Sequence, residues 1–128
     1  MPAPIILISN QRIKPEKLDA YRANYAGAVE RFQKTRPQTL LHSAYLSPDG
    51  TDVSVVMAFQ DADAMETHMR GLGASPQRAQ EWMDFVSVQI FGSPNSATME
   101  LIKDMVGPAV PVTINAEPIA GYFRGGSA

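Results

Sequence analysis

The sequence predicts a single α+β domain in which helices cover one face of an antiparallel β-sheet. Segments rich in Val, Ile and aromatic residues alternate along the chain with segments whose apolar residues recur at helical spacing. The order of the segments is β-α-β-β-α(α)-β, followed by one more helix and strand. The 128 residues suffice for one domain with its own core. No linker or internal repeat interrupts them, so we treat residues 1–128 as one unit.

Composition narrows the range of partners and compartments. Eleven basic and thirteen acidic residues give a formal net charge of −2, whereas nucleic-acid binding requires a concentrated basic surface. No apolar segment approaches the roughly 18 residues that span a bilayer. The chain has no cysteine, which excludes disulfides, thiolate nucleophiles and cysteine-ligated zinc. We therefore expect a cytoplasmic protein that binds neither nucleic acid nor membrane.

The first half of the chain predicts a strand, a long helix and a hairpin. Residues 5–8 are β-branched or apolar on both faces, which is typical of a strand covered on both sides. Residues 15–34 carry an apolar stripe at helical spacing and begin with a proline, a residue favoured in the first helical turn. Residues 39–46 and 53–60 alternate as strands, and the Ser-Pro-Asp-Gly turn at 47–50 joins them.

The second half predicts three helices and two strands. Asp61 is the expected N-cap of the first helix, which a glycine-rich segment ends. A second helix begins at Ser75 and Pro76, with a buried face that extends to Val86. A strand over residues 87–91 follows. A helix over residues 93–106 and a strand near residues 110–114 complete the chain.

The order of the first elements is the split βαβ arrangement of a ferredoxin-like fold, with a core at residues 5–91 and a C-terminal helix and strand extension at 93–124. Helices cover one face of such a sheet. The other face would carry a set of apolar side chains, namely Ile6, Ile8, Leu41, Val56 and Ala58. An apolar patch of this kind is rare on a monomer, so we expect a second copy to cover it. The prediction is a homodimer with two sheets face to face, a dimeric α/β barrel.

Three segments carry a family resemblance. Residues 13–21, IKPEKLDAY, join a strand end to a helix through a Lys-Pro-Glu-Lys turn, and a tight hairpin crosses residues 47–50. Residues 59–69, FQDADAMETHM, place an aromatic residue, an acidic cap and a helical histidine in succession. Together these segments resemble the antibiotic-biosynthesis monooxygenase-like family of dimeric α/β barrels over residues 5–91.

The resemblance implies a monooxygenase that needs no cofactor and oxidises a phenolic or quinol-type aromatic in a pocket between sheet and helices. The sequence departs from the family pattern in two places. Phe59 stands where the family often has tryptophan, and Gly71 and Gly73 occupy the region of a frequent second histidine. That departure counts against haem binding and degradation, which some relatives perform. A non-catalytic dimeric barrel that binds a hydrophobic ligand is the other alternative.

Five residues are candidates for such a pocket. His68 and Asn10 are the candidate catalytic residues, because a histidine titrates near neutral pH and the resemblance places a polar side chain at the end of the first strand. His42, Tyr45 and Trp82 are candidate substrate contacts. The two histidines have no metal-ligand spacing, so we predict no metal site.

Each candidate also has a structural interpretation. A histidine beside an apolar helix stripe is more often hydrogen-bonded at the helix edge, which favours a structural role for His68. His42 fits a partly buried histidine with satisfied hydrogen bonds, and Asn10 fits a turn. Core packing explains Tyr45 and Trp82 equally well.

Overall fold

The computed structural model describes residues 4–124. Nine elements follow one another in the chain: β1 (Ile5–Ile13), α1 (Leu18–Thr35), β2 (Thr39–Leu46), β3 (Asp52–Phe59), α2 (Ala62–Gly71), α3 (Ser75–Ala79), β4 (Met83–Phe91), α4 (Ser96–Val106) and β5 (Val112–Asn115). None of the helices in this part of the chain is long and apolar enough to cross a membrane.

The five strands form one sheet in the order β2-β3-β1-β4-β5. The first four pair antiparallel, and β5 adds to the β4 edge in parallel. This is the predicted α+β, ferredoxin-like split βαβ sheet, extended at one edge by the C-terminal helix and strand. The fold class predicted from the sequence is therefore confirmed.

Alternation along β1 divides the sheet into two faces. Ile5, Leu7 and Ile13 point toward the helices and are buried, as expected when successive side chains alternate. On the other side, which we call the open face, the partly or fully exposed side chains include Ile6, Ile8, Asn10, Leu41, Val56 and Phe91. The apolar set predicted for the second face does lie on it, because Ile8 pairs with Val56 and Ala58 lies between Ile6 and Leu41.

The end of β1 and the start of α1 differ from the prediction. The strand continues through Ile13 instead of turning at Asn10, and the helix begins at Leu18 instead of Pro15. Backbone hydrogen bonds from Ile13 and Lys14 to the neighbouring strand ends hold the chain extended there. Glu16 then has a φ of 66°, which a right-handed helix cannot contain.

The second half contains two further corrections. The helix predicted to reach Val86 ends at Ala79, and β4 begins at Met83. Met83 and Phe85, two residues apart, both point to the helix side of the sheet, as the two-residue period of a strand requires. The last helix starts at Ser96 and not at residue 93, because the Asn95 side chain accepts a hydrogen bond from the backbone N–H of Thr98 at 2.9 Å.

The predicted cap of α2 gives a direct stability test. The carboxylate of Asp61 accepts a hydrogen bond from the backbone N–H of Ala64 at 2.8 Å. Replacing Asp61 with Ala should lower the free energy of unfolding by about 1 kcal/mol, since one N-terminal N–H loses its partner. Urea denaturation measures the change. Asp63→Ala, in the same turn but exposed and not the cap, is the control and should cost clearly less; equal losses would contradict the capping role.

Candidate functional site

A cavity of about 300 Å³ lies between α1 and the β2–β3 hairpin. Its helix side is formed by residues that recur at three- and four-residue spacing, so they lie on one face of α1. The side chains that line it from the sheet are small or aliphatic. The main lining residues are Tyr21, Arg22 and Tyr25 from the helix and Ala44, Leu46 and Val53 from the sheet. A concave, mostly apolar site with a few polar groups is the usual form of a small-molecule pocket.

Tyr21 anchors the helix wall of the cavity to the sheet. Its hydroxyl donates a hydrogen bond to Gln11 Oε1 at 2.7 Å, and Gln11 Nε2 donates to Ser9 Oγ at 3.0 Å. All three side chains are buried. Burial raises the pKa of Tyr21 to about 12, so its phenol stays protonated. These bonds satisfy the polar groups that the buried end of β1 would otherwise leave without partners.

Tyr25 connects the cavity to His42, a partly buried histidine. Its hydroxyl lies 2.8 Å from His42 Nδ1. Burial lowers the pKa of His42 to about 4, so the imidazole is neutral near pH 7. Burial, followed by the nearby Tyr21 and Tyr45, raises the pKa of Tyr25. Since the phenol keeps its proton and a neutral imidazole accepts at one nitrogen, we assign Tyr25 as donor and His42 as acceptor.

His68 lies behind His42, away from the cavity wall. Its ring centroid is 5.5 Å from that of His42, 4.7 Å from that of Phe32 and 5.4 Å from that of Phe59. The side chain is fully buried, and neither ring nitrogen has a hydrogen-bond partner among the described residues. Burial, then the charges of His42 and Arg36, lower the pKa of His68 to about 3. His68 is therefore a neutral imidazole packed among aromatic rings.

The sheet separates the other predicted residues from the histidines. Asn10 lies in the middle of β1 on the open face and not in a turn. Its amide accepts a hydrogen bond from Ser54 at 2.8 Å and donates to Ser87 at 3.0 Å. Tyr45 lies on the same face, opposite Ser54, and is 61% exposed. Asn10 and Tyr45 therefore do not share a pocket with His68 within one chain, contrary to the predicted arrangement.

Trp82 also lies apart from the cavity. It precedes β4, is partly buried and packs against the core. Its backbone carbonyl accepts a hydrogen bond from the N–H of Lys14 at 2.8 Å. Of the five predicted residues, the structure thus brings together only His42 and His68.

The residues that line the cavity were missed as functional candidates. Tyr21 and Tyr25 fall within the apolar stripe of the predicted helix, where a tyrosine is as readily a core residue as a ligand contact. The available signal was their four-residue spacing, with Arg22 between them.

Among residues 4–124, no group of three or more His, Asp or Glu side chains is placed to hold a metal ion.

Comparison by sequence identifies no relatives: no family model matches the chain, and no curated protein is significantly similar to it. Solved structures do match. The chain is similar to MupZ from Pseudomonas fluorescens, with a TM-score of 0.70 and 15% identity over 93% of this chain and 94% of that chain. The unmatched residues of this chain are fewer than the residues of α4 and β5 together. The structural match therefore includes at least part of this C-terminal extension.

Two further structures extend the comparison. SnoaB, a cofactor-independent oxygenase from Streptomyces nogalater, matches with a TM-score of 0.54 and 12% identity over 73% of this chain and 95% of that chain. A candidate antibiotic biosynthesis monooxygenase from Bacteroides thetaiotaomicron matches with a TM-score of 0.56 and 18% identity over 62% and 79% of the two chains. The chain has the fold of the antibiotic biosynthesis monooxygenases. The predicted resemblance is confirmed at the level of the fold, which is all that such low identities show.

Proposed function

We propose that the protein is a small oxygenase that oxidises a phenolic or quinol-type aromatic with O₂ and uses no metal or organic cofactor. The observation that carries the proposal is the apolar cavity with a Tyr25–His42 hydrogen bond in its wall. The fold supports it, because one protein of the same fold is a cofactor-independent oxygenase.

The cavity wall supplies the contacts that a phenol needs. The aromatic ring would lie against the aliphatic side chains of β2 and β3, and its hydroxyl would point to Tyr25. Because the Tyr25 hydroxyl donates its proton to His42 Nδ1, the lone pairs of the Tyr25 oxygen are free to accept a hydrogen bond from the substrate hydroxyl. His42 is the end of this hydrogen-bond chain, and His68 packs behind it as a positioning residue.

The chemistry follows from this chain of acceptors. The substrate passes one electron to O₂ while its hydroxyl proton moves to Tyr25 and the Tyr25 proton moves to His42. A neutral imidazole of low pKa suits this step, since an oxidised phenol is a far stronger acid than the phenol itself. Superoxide then bonds to a ring carbon that carries hydrogen, and the proton held on His42 returns through Tyr25 to the resulting peroxide anion, giving a hydroperoxide. Loss of water leaves a quinone, so one oxygen atom enters the product and the other leaves as water.

Oxygen uptake against a panel of hydroquinones and anthrols tests the proposal. Tyr25→Phe removes the proton relay and should lower kcat by about 100-fold, the lower end of general acid–base contributions. His42→Gln should do the same, and the double variant should be no worse than either single variant because both interrupt one relay. Tyr122→Phe is the control, since Tyr122 is 79% exposed and does not line the cavity.

Three outcomes would count against the proposal. No uptake above background with any substrate would exclude the oxygenase, and thermal stabilisation by the same aromatics without turnover would favour the non-catalytic binding protein. Unchanged oxygen uptake in Tyr25→Phe would exclude the proposed proton relay. The haem alternative has no support from the geometry, because neither His42 nor His68 is among the residues lining the cavity.

We also propose that two copies of the chain pair through the open face. Ile6, Ile8, Val56 and Phe91 place a contiguous apolar surface there, and Leu41 is 43% exposed beside it. Soluble monomers rarely leave such a surface to water. The Asn10 hydrogen-bond cluster lies within it and would be enclosed with its partners already satisfied.

A further inference from the structure

Arg22 is exposed and lines the α1 cavity at its solvent side. It is the one charged side chain among the eight lining residues. Among residues 4–124, the four ion pairs involve other side chains, and Arg22 makes no side-chain hydrogen bond there. An exposed arginine at the edge of an apolar pocket keeps its five N–H donors available to a ligand.

The position of Arg22 relative to Tyr25 defines two ends of the cavity. Residues three apart on a helix are neighbours, with Cβ atoms about 5–6 Å apart. The Tyr25 hydroxyl is directed inward to His42, and the Tyr21 hydroxyl is directed inward to Gln11. The polar groups of the inner end are therefore neutral, whereas the outer end carries a positive charge.

We propose that the substrate is an aromatic carboxylic acid whose carboxylate binds Arg22 at the cavity mouth while its phenolic hydroxyl points to Tyr25. This inference rests on the proposed function for the reacting group but concerns a different contact. A planar guanidinium matches a carboxylate in bidentate geometry, which a neutral substituent cannot reproduce. Arg22 is in this arrangement a specificity residue and takes no part in proton transfer.

A matched pair of ligands tests the contact. The probes are 6-hydroxy-2-naphthoic acid and its carboxamide, which differ in charge but little in shape. Binding is measured without oxygen by calorimetry, so turnover is not needed. The acid should bind about tenfold or more tightly than the carboxamide. Arg22→Gln should abolish the difference by weakening only the acid, Arg22→Glu should reverse it, and added salt should weaken only the acid.

Arg31→Gln is the matched control, because Arg31 is exposed on the same helix but does not line the cavity. It should leave both affinities unchanged. In oxygen uptake, Arg22→Gln should raise KM for the acid by about tenfold with kcat unchanged, since the contact is equal in ground and transition states.

The outcomes separate this inference from the proposed function. Equal binding of acid and carboxamide to the wild type, or an equal loss in Arg31→Gln, overturns the role of Arg22 while oxygen uptake can still stand. Acid-selective binding that Arg22→Gln removes, with no oxygen uptake, supports the anion site and overturns the oxygenase. Binding of neither probe overturns the aromatic acid as ligand.

Discussion

At pH 5 the protein should be about 4 kcal/mol less stable to unfolding than at pH 7. Burial lowers the pKa of His42 to about 4 and that of His68 to about 3. Unfolding releases both imidazoles to water, where their pKa returns to about 6.5. Between these values the unfolded chain binds protons that the native chain does not. The contribution of the two neutral histidines to the free energy of unfolding is therefore fully present above about pH 6.5. It falls by about 1.4 kcal/mol per pH unit for each histidine as pH decreases toward the native pKa values.

Urea denaturation at pH 7, 6 and 5 measures this loss. The chain has only these two histidines, so His68→Leu should halve the dependence on pH and the double variant with His42→Gln should nearly remove it. The carboxyl groups of Asp49 and Glu66 have pKa values lowered by hydrogen bonds to Ser47 and Arg70 respectively, which keeps their titration below this pH range. Parallel curves for the wild type and the double variant would contradict the prediction.

His68→Leu carries a second expectation at neutral pH. A buried imidazole without hydrogen-bond partners costs free energy, and an aliphatic side chain of similar size does not. The variant should therefore be at least as stable as the wild type at pH 7. A stable variant with reduced oxygen uptake would identify His68 as a residue kept for function at a cost in stability.

The sequence predicted the elements whose signals are local. Alternation gave β2 its bounds, Thr39–Leu46, and the acidic residue at 61 marked the start of α2 correctly. The end of β1 could not be found in this way, because Ser9 and Gln11 occupy buried strand positions with polar side chains. Gln11 Oε1 accepts its hydrogen bond from Tyr21, ten residues further along the chain. That contact is tertiary and leaves no local pattern.

The candidate site was predicted only in part, for a related reason. Tyr45 shares strand parity with Leu41, so the alternation of β2 already placed it on the face away from His42. Asn10 shares parity with Ile6 and Ile8, but this follows only if β1 continues past residue 8. Strand alternation in the sequence therefore sufficed to separate Tyr45 from the histidines. It did not separate Asn10, because the end of β1 was predicted too early.

Replacing Ile8 with Asp should convert the proposed homodimer to a monomer. Ile8 lies on the central strand of the sheet, between Val56 and Gln89 on its neighbours. A two-fold interface over the open face would enclose two such carboxylates among apolar side chains. An unpaired buried charge costs about 3 kcal/mol or more, so the dimer dissociation constant should rise at least about 100-fold.

Light scattering and sedimentation at micromolar concentration measure the change. Ala23→Asp adds the same charge on the exposed side of α1 and should remain dimeric. Circular dichroism establishes that Ile8→Asp is folded, and Ile8→Thr, which is less polar, should give an intermediate dissociation constant. A wild-type monomer at these concentrations, or an Ile8→Asp dimer, would exclude the open face as the interface. The apolar surface would then need another partner, because a monomer would expose it to water at a cost that grows with its area.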